Sequence, residues 1–161
     1  MNTYVLHVTT GSELDVVKSL QEHDYDAFVP IEECMERRRG SWHFRDKILI
    51  PGYVFVRMVI NDTSYYEIKD IPGVIRFLGA KAPIPIREDE EEKLLSLLDD
   101  NKRMEVSRII TSEDGTFRVL EGALIGREKD IIKLDRHRRK AHVKFKLGTE
   151  TSIVTLSAII I

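Results

Sequence analysis

Between Lys133 and Lys146 the chain carries seven bases, Lys133, Arg136, Arg138, Arg139, Lys140, Lys144 and Lys146, against the single acid Asp135. Two histidines, His137 and His142, lie among them. Guanidinium forks contact phosphates bidentately and stack on unpaired bases, so such a concentration points to a structured RNA ligand; evenly mixed surface charge is the plain alternative. The candidate RNA-binding set is therefore Lys133, Arg136, His137, Arg138, Arg139, Lys140, His142, Lys144 and Lys146. Aromatic interleaving is sparse, which favours recognition of hairpin shape and phosphates over base-by-base stacking.

Little else in the chain is arranged for chemistry. His7, His23, His43, His137 and His142 are scattered without HExxH or comparable spacing, and the glycines lack the GK[ST] partner of a phosphate-binding loop. Cys34 is the only cysteine, which excludes an internal disulfide and a thiolate zinc cluster and leaves a buried bystander as its default role. Neither catalysis, nor a metal, nor a cofactor is expected. A second basic group, Arg37, Arg38 and Arg39 with the more distant Arg76, reads either as a solvated hairpin tip or as a face toward DNA. Trp42 stands in the same charged stretch, and nothing in its neighbours accounts for it.

The whole chain is 161 residues with 42% hydrophobic and 32% charged content, enough for one ordinary domain or two small ones. Its net charge of −2 averages two unlike parts: 12 Lys+Arg against 19 Asp+Glu through Asp100, and 13 against 8 beyond it. An acidic first part and a basic second part suggest different partners, with nucleic acid the usual one for the basic part. The opening Met1-Asn2-Thr3-Tyr4-Val5-Leu6-His7 has no charged n-region and no long apolar run. The expectation is a cytoplasmic protein without membrane contact, monomeric by default.

The elements that must position these residues follow from periodicity. Tyr4, Leu6 and Val8 alternate with Val5 and His7 as a half-buried strand that runs into a turn at Thr9-Thr10-Gly11. A helix follows, with Ser12 as its cap, Asp15 three residues on, and Val16, Val17 and Leu20 on the buried face. Ala27 to Val29 reads as a second strand stopped by Pro30. Glu32 to Lys47 is too polar for core and reads as a loop or the tips of a long hairpin. Ile48 to Val56 is the central strand, its Pro51-Gly52 marking a bulge or a turn. Thr63 to Lys69 suits a short helix and Gly73 to Gly79 a strand. The acids Glu88 to Glu92 before a leucine-rich stretch suit a helix start, where they favour the dipole. The order predicts an α+β domain over 1–100, with helices against one antiparallel sheet.

Residues 101–116 show no clear period and read as a linker in which Ile109-Ile110 could dock locally. From Phe117 to Ile161, short apolar runs punctuated by Gly122, Gly126 and Gly148 suggest a small all-β barrel. Arg127 to Ala141 read alone also suits a basic helix. Read as two strands around a turn at His137-Arg138-Arg139, the basic run instead places Ala141, Val143, Phe145 and Leu147 inward and His142, Lys144 and Lys146 outward.

Several of these pieces together resemble the NusG family: Tyr4-Val5-Leu6-His7-Val8 with Gly11 and Glu13, then Val29-Pro30, Pro51-Gly52-Tyr53-Val54-Phe55-Val56, and Ile71-Pro72-Gly73-Val74 with Phe77-Leu78-Gly79. The second half resembles the KOW barrel through Phe117-Arg118-Val119, Gly122, Gly126 and Ile131 to Asp135. Asp114-Gly115 inverts the usual order, Ala123 replaces a proline, and Lys129-Asp130 displaces a glycine; these departures concern loop shapes. The resemblance implies a factor whose N-terminal domain sits on the clamp helices of bacterial RNA polymerase and closes the main cleft against pausing. Matched position by position, its contacts would be Tyr4, Ile50, Tyr53 and Phe55, with core packing the other reading, above all for Phe55. Arg76 and Arg37 to Arg39 would then face upstream DNA. The basic hairpin, with Gly126-Arg127-Glu128, resembles the LoaP-type antitermination paralogues most closely, which implies a nascent-RNA hairpin as ligand. A housekeeping NusG, its barrel binding Rho or a small-subunit ribosomal protein, and a ribosome-associated structural KOW protein are the alternatives.

Overall fold

A computed structural model describes residues 1–79, 81–147 and 150–161. The strands in chain order are β1 (Asn2–Val8), β2 (Asp26–Phe28), β3 (Ile31–Arg38), β4 (Ser41–Ile48), β5 (Tyr53–Met58), β6 (Val74–Phe77), β7 (Arg103–Met104), β8 (Ser107–Thr111), β9 (Phe117–Glu121), β10 (Ile131–Asp135), β11 (Lys140–Leu147) and β12 (Glu150–Ile160). The helices are α1 (Glu13–Glu22), α2 (Asp62–Lys69) and α3 (Glu88–Ser96). The chain divides into two compact units, one of residues 1–29 and 50–91, the other of residues 30–49 and 92–161.

The first unit is built on a four-stranded sheet in the order β2-β5-β1-β6, with every pair antiparallel. Directly paired residues share a face, so the pairings Tyr4↔Val56, Leu6↔Val54 and Leu6↔Phe77 line up one apolar layer. Tyr65 of α2 stacks on Phe77 of that layer at 5.4 Å between centroids, and Val16 and Leu20 of α1 are fully buried. The other face carries Val5 opposite Phe55, and Phe55 stacks on Phe28 at 5.3 Å.

Local bonds differ from the sequence reading at α1. Ser12 makes no side-chain cap; Glu13 does the anchoring instead, its Oε1 accepting the Gly11 N–H at 2.6 Å and its Oε2 the Gly52 N–H at 3.0 Å. One buried carboxylate thus ties the β1–α1 turn to the Pro51-Gly52 turn that launches β5. Gly52 sits at φ +87, a conformation that side chains with a Cβ resist. Helix α2 has a reciprocal cap, with Asn61 Oδ1 accepting the Ser64 N–H and Ser64 Oγ accepting the Asn61 N–H, both at 2.9 Å.

The second unit holds a five-stranded sheet, β10-β11-β12-β8-β9, and a three-stranded one, β4-β3-β7. Here the expected linker is corrected. Residues 101–116 contain β7 and β8, and β8 lies between β12, to which it runs parallel, and β9. Its side chains alternate, Ser107 and Ile109 buried at 1% and 0%, Arg108 and Ile110 exposed, which is why so short a run holds as a strand. Gly122 packs against β8 so closely that a Cβ there would collide with Val106 O and the Ser107 Cα. The expected boundary at Asp100 also moves: β3 and β4 form a hairpin that belongs to this second unit. Of the two readings of Pro51-Gly52, the structure has the turn: β4 ends at Ile48 and β5 begins after the turn, at Tyr53. The fold class is otherwise the expected one, an α+β part followed by a small all-β part.

Candidate nucleic-acid interface

The basic run folds as a β-hairpin. A single 3-10 turn at Glu128–Asp130 replaces the helix that Arg127 to Ala141 alone would suit, and β10 then pairs antiparallel with β11. Asp135 closes the turn by accepting the Arg138 N–H at 2.9 Å, and Arg139 takes the left-handed conformation, φ +55. That backbone bond, with the charges of Arg138, Lys133 and His137 nearby, holds the Asp135 carboxyl below the usual aspartate range. The lone acid of the run is therefore structural, and its charge is already committed to the turn.

Strand alternation then sorts the side chains. Ala141, Val143 and Phe145 are buried at 0%, 2% and 5%, while Lys144 and Lys146 are exposed and His142 is half-buried. Lys133, Arg136, His137 and Arg138 are exposed as well. Arg136 reaches Thr111 Oγ1 on β8 at 2.5 Å, which steadies its guanidinium beside the turn. Gly148, expected as a barrel glycine, lies outside the described residues, and so does the side chain of Leu147, expected to point inward.

Two members of the expected set are placed differently. Lys140 is half-buried, and its Nζ donates to Ser157 Oγ at 2.9 Å and Met35 O at 3.4 Å, with Cys34 Sγ 3.3 Å away. It is a structural cation rather than a displayed one. Arg139 lies over the Trp42 ring, its Cζ 4.3 Å from the centroid, a cation–π contact that accounts for a tryptophan in a charged stretch. Sequence reasoning missed this partnership because it joins residues almost a hundred positions apart.

The β3–β4 hairpin is held to the barrel by buried polar bonds. Glu32, 2% exposed, accepts the Ser157 N–H at 2.7 Å and pairs with Lys47 at 3.5 Å, and Ser157 Oγ accepts the Met35 N–H at 3.0 Å. Cys34 is buried, as expected of a bystander, among these groups. Arg37, Arg38 and Arg39 are exposed at the end of this hairpin, in the second unit, whereas Arg76 is an exposed residue of β6 in the first. Of the four residues matched to polymerase contacts, Phe55 and Tyr4 are core, 0% and 6% exposed, with Tyr4 edge-on to Phe77. Ile50 and Tyr53 are half-buried, Tyr53 stacking on His7 at 5.6 Å. The pleat turns both Tyr4 and Phe55 into packed layers.

The family described as "Transcription termination factor nusG" matches residues 1–95. A NusG termination/antitermination protein of Chlamydia trachomatis is 32% identical over 71% of this chain and 71% of its own. One from Vibrio parahaemolyticus is 27% identical over 95% of this chain and 90% of its own. The solved Thermotoga maritima NusG superposes with a TM-score of 0.54 at 20% identity, covering 97% of this chain and 93% of that one, a likeness of fold. The chain belongs to the NusG family of transcription termination/antitermination factors. These relatives are transcription factors rather than enzymes, and no catalytic family is indicated. Among the described residues no group of three or more His, Cys, Asp or Glu could hold a metal, and no helix is long and apolar enough to cross a membrane.

Proposed function

We propose that the chain is a specialised elongation and antitermination factor, of the LoaP type, that binds RNA polymerase through its N-terminal part and a hairpin of nascent leader RNA through its KOW barrel. The observation that carries the RNA half is the displayed hairpin: Lys133, Arg136, His137, Arg138, Lys144 and Lys146 point outward from a turn whose only acid is bonded to backbone. Cations displayed on a hairpin that is itself paired into a five-stranded sheet suit the phosphates and shape of folded RNA. The polymerase half rests on family membership and on Tyr53 with Ile50, which combine an apolar body with partial exposure beside the sheet. Arg37, Arg38, Arg39 and Arg76 are the candidates for upstream DNA.

The test is binding of the full chain to a panel of structured leader RNAs across a salt series, beside an Arg136→Ala/Arg138→Ala variant. Tight binding of one hairpin that survives competitor RNA and weakens in the variant is expected. Weak, strongly salt-dependent binding of every RNA alike would overturn the specialised reading and favour a general NusG whose barrel meets Rho or a ribosomal protein. Capture of RNA polymerase by the wild type, lost on Tyr53→Ala, tests the other half.

A further inference from the structure

The second unit contains a cleft of about 540 Å³ that the basic turn alone does not make. The β3–β4 hairpin supplies one set of its walls, including Arg37, Trp42 and Arg45, and the barrel turn supplies His137 and Arg138. Pairing along the hairpin sets Arg37 directly opposite Trp42. Arg45 is held by Glu36 at 3.1 Å, whereas Arg37 is exposed and has no ion-pair partner among the described residues. Trp42 is half-buried, with Arg139 stacked over its ring. The cleft therefore joins an aromatic surface to cations from two hairpins, and the buried Glu32–Ser157 and Met35–Ser157 bonds keep the β3–β4 hairpin against the barrel.

We infer that this cleft receives an unpaired nucleotide of the bound RNA, its base stacking at Trp42 and its flanking phosphates meeting Arg37, His137 and Arg138. The inference rests on the RNA-binding reading above and extends it, because it makes the β3–β4 hairpin part of the RNA site and assigns Arg37 to RNA rather than to upstream DNA. Three physical features favour this occupant. The volume falls in the range of sites that enclose a nucleotide-sized ligand. An indole already polarised by a guanidinium is a stacking platform that tolerates any base. An open cleft rimmed by cations, with Glu36 the one acid among its described lining residues and that acid paired to Arg45 and Arg38, is electrostatically suited to a polyanion. It also supplies the aromatic component that the basic run lacks.

Trp42 is the only tryptophan of the chain, so its fluorescence reports on the cleft without labelling. The full chain is titrated with a leader hairpin bearing an unpaired loop and with the same stem closed into an uninterrupted duplex, while anisotropy of labelled RNA follows binding separately. Saturable quenching of Trp42 that tracks the hairpin isotherm, and little quenching by the duplex, is the expected result. Trp42→Ala should weaken hairpin binding roughly 5- to 100-fold, the scale of one lost base–aromatic stack, with Trp42→Phe recovering part of it. Arg37→Gln, which removes an exposed side chain without an ion pair, should weaken binding several-fold with folding intact and so guards against a merely misfolded tryptophan variant. Hairpin binding by anisotropy with unchanged Trp42 emission and wild-type affinity in Arg37→Gln would overturn the cleft while leaving the RNA-binding reading standing. Absence of RNA binding in the wild type would overturn both.

Discussion

The two units use aromatic and charged residues in opposite ways. In the first, the aromatics that family resemblance offers for partner contact are largely consumed by the sheet: Phe55 stacks on Phe28 and Tyr4 meets Phe77 edge-on, leaving Tyr53 half-exposed. In the second, strand alternation puts small and apolar side chains inside and leaves Lys133, Arg136, Arg138, Lys144 and Lys146 in solvent, while Arg139 and Lys140 are half-buried. A central strand covered on both faces has no outward side, whereas an edge-proximal hairpin has one by geometry. Matching a motif therefore identifies a contact surface more safely where the local structure has a free face.

The contrast can be broken most forcefully at Phe55. Phe55→Ala should cost about 3–5 kcal/mol through the cavity left beside Phe28, while Tyr53→Ala should cost far less, both measured by urea unfolding. Equal losses at the two positions would erase the distinction between core and surface aromatics. Next in size, Ile109→Ala in β8 should cost about 2–4 kcal/mol and lower the midpoint of the second unit, because Ile109 is fully buried in a strand with partners on both sides. A linker residue would show no such loss.

Each unit keeps a carboxylate inside on backbone N–H groups, Glu13 in the first and Glu32 in the second. Burial alone would raise the pKa of Glu13, but the Gly52 and Gly11 N–H groups outweigh that and hold the carboxylate below its ordinary value. A depressed folded pKa means that its stabilisation is present above the unfolded value, about 4.3, and is lost as pH falls through the lower folded value. Glu13→Gln, which turns an NH₂ toward one of those donors, should destabilise by about 1–3 kcal/mol at neutral pH, and its gap from wild type should narrow on acidification. A gap independent of pH would mean that the carboxylate charge contributes nothing. The smallest stability effect belongs to the displayed cations: Arg136→Ala/Arg138→Ala should leave the unfolding midpoint nearly unchanged yet reduce the salt slope of RNA binding by about one for each phosphate contact removed.

Much of this was legible in local pattern. The inward set Ala141, Val143 and Phe145 and the turn at His137 to Arg139 follow from a period of two, and α2 and α3 lie within a residue or two of their expected spans. Strand β8 was legible as well, in the alternation of Ser107, Ile109 against Arg108, Ile110, but its brevity beside two unstructured-looking flanks disguised it. The cap of α1 was misread because Ser12 has the right chemistry at the right place, while the actual anchor, Glu13, reaches a glycine in another turn.

Periodicity and residue chemistry along the chain determined which segments become strands and helices, the sign of each region's charge, and the family to which the protein belongs. Those properties depend on neighbours within a few residues or on ordered motifs, and both are written in one dimension. Only the tertiary structure decided that Lys140 turns inward to Ser157, that Arg139 lies on Trp42, and that the Glu32–Lys47 hairpin joins the basic barrel to form a cleft. Each of these is a contact between groups about twenty to more than a hundred residues apart, and the burial that stabilises it exists only once both chain segments have left water.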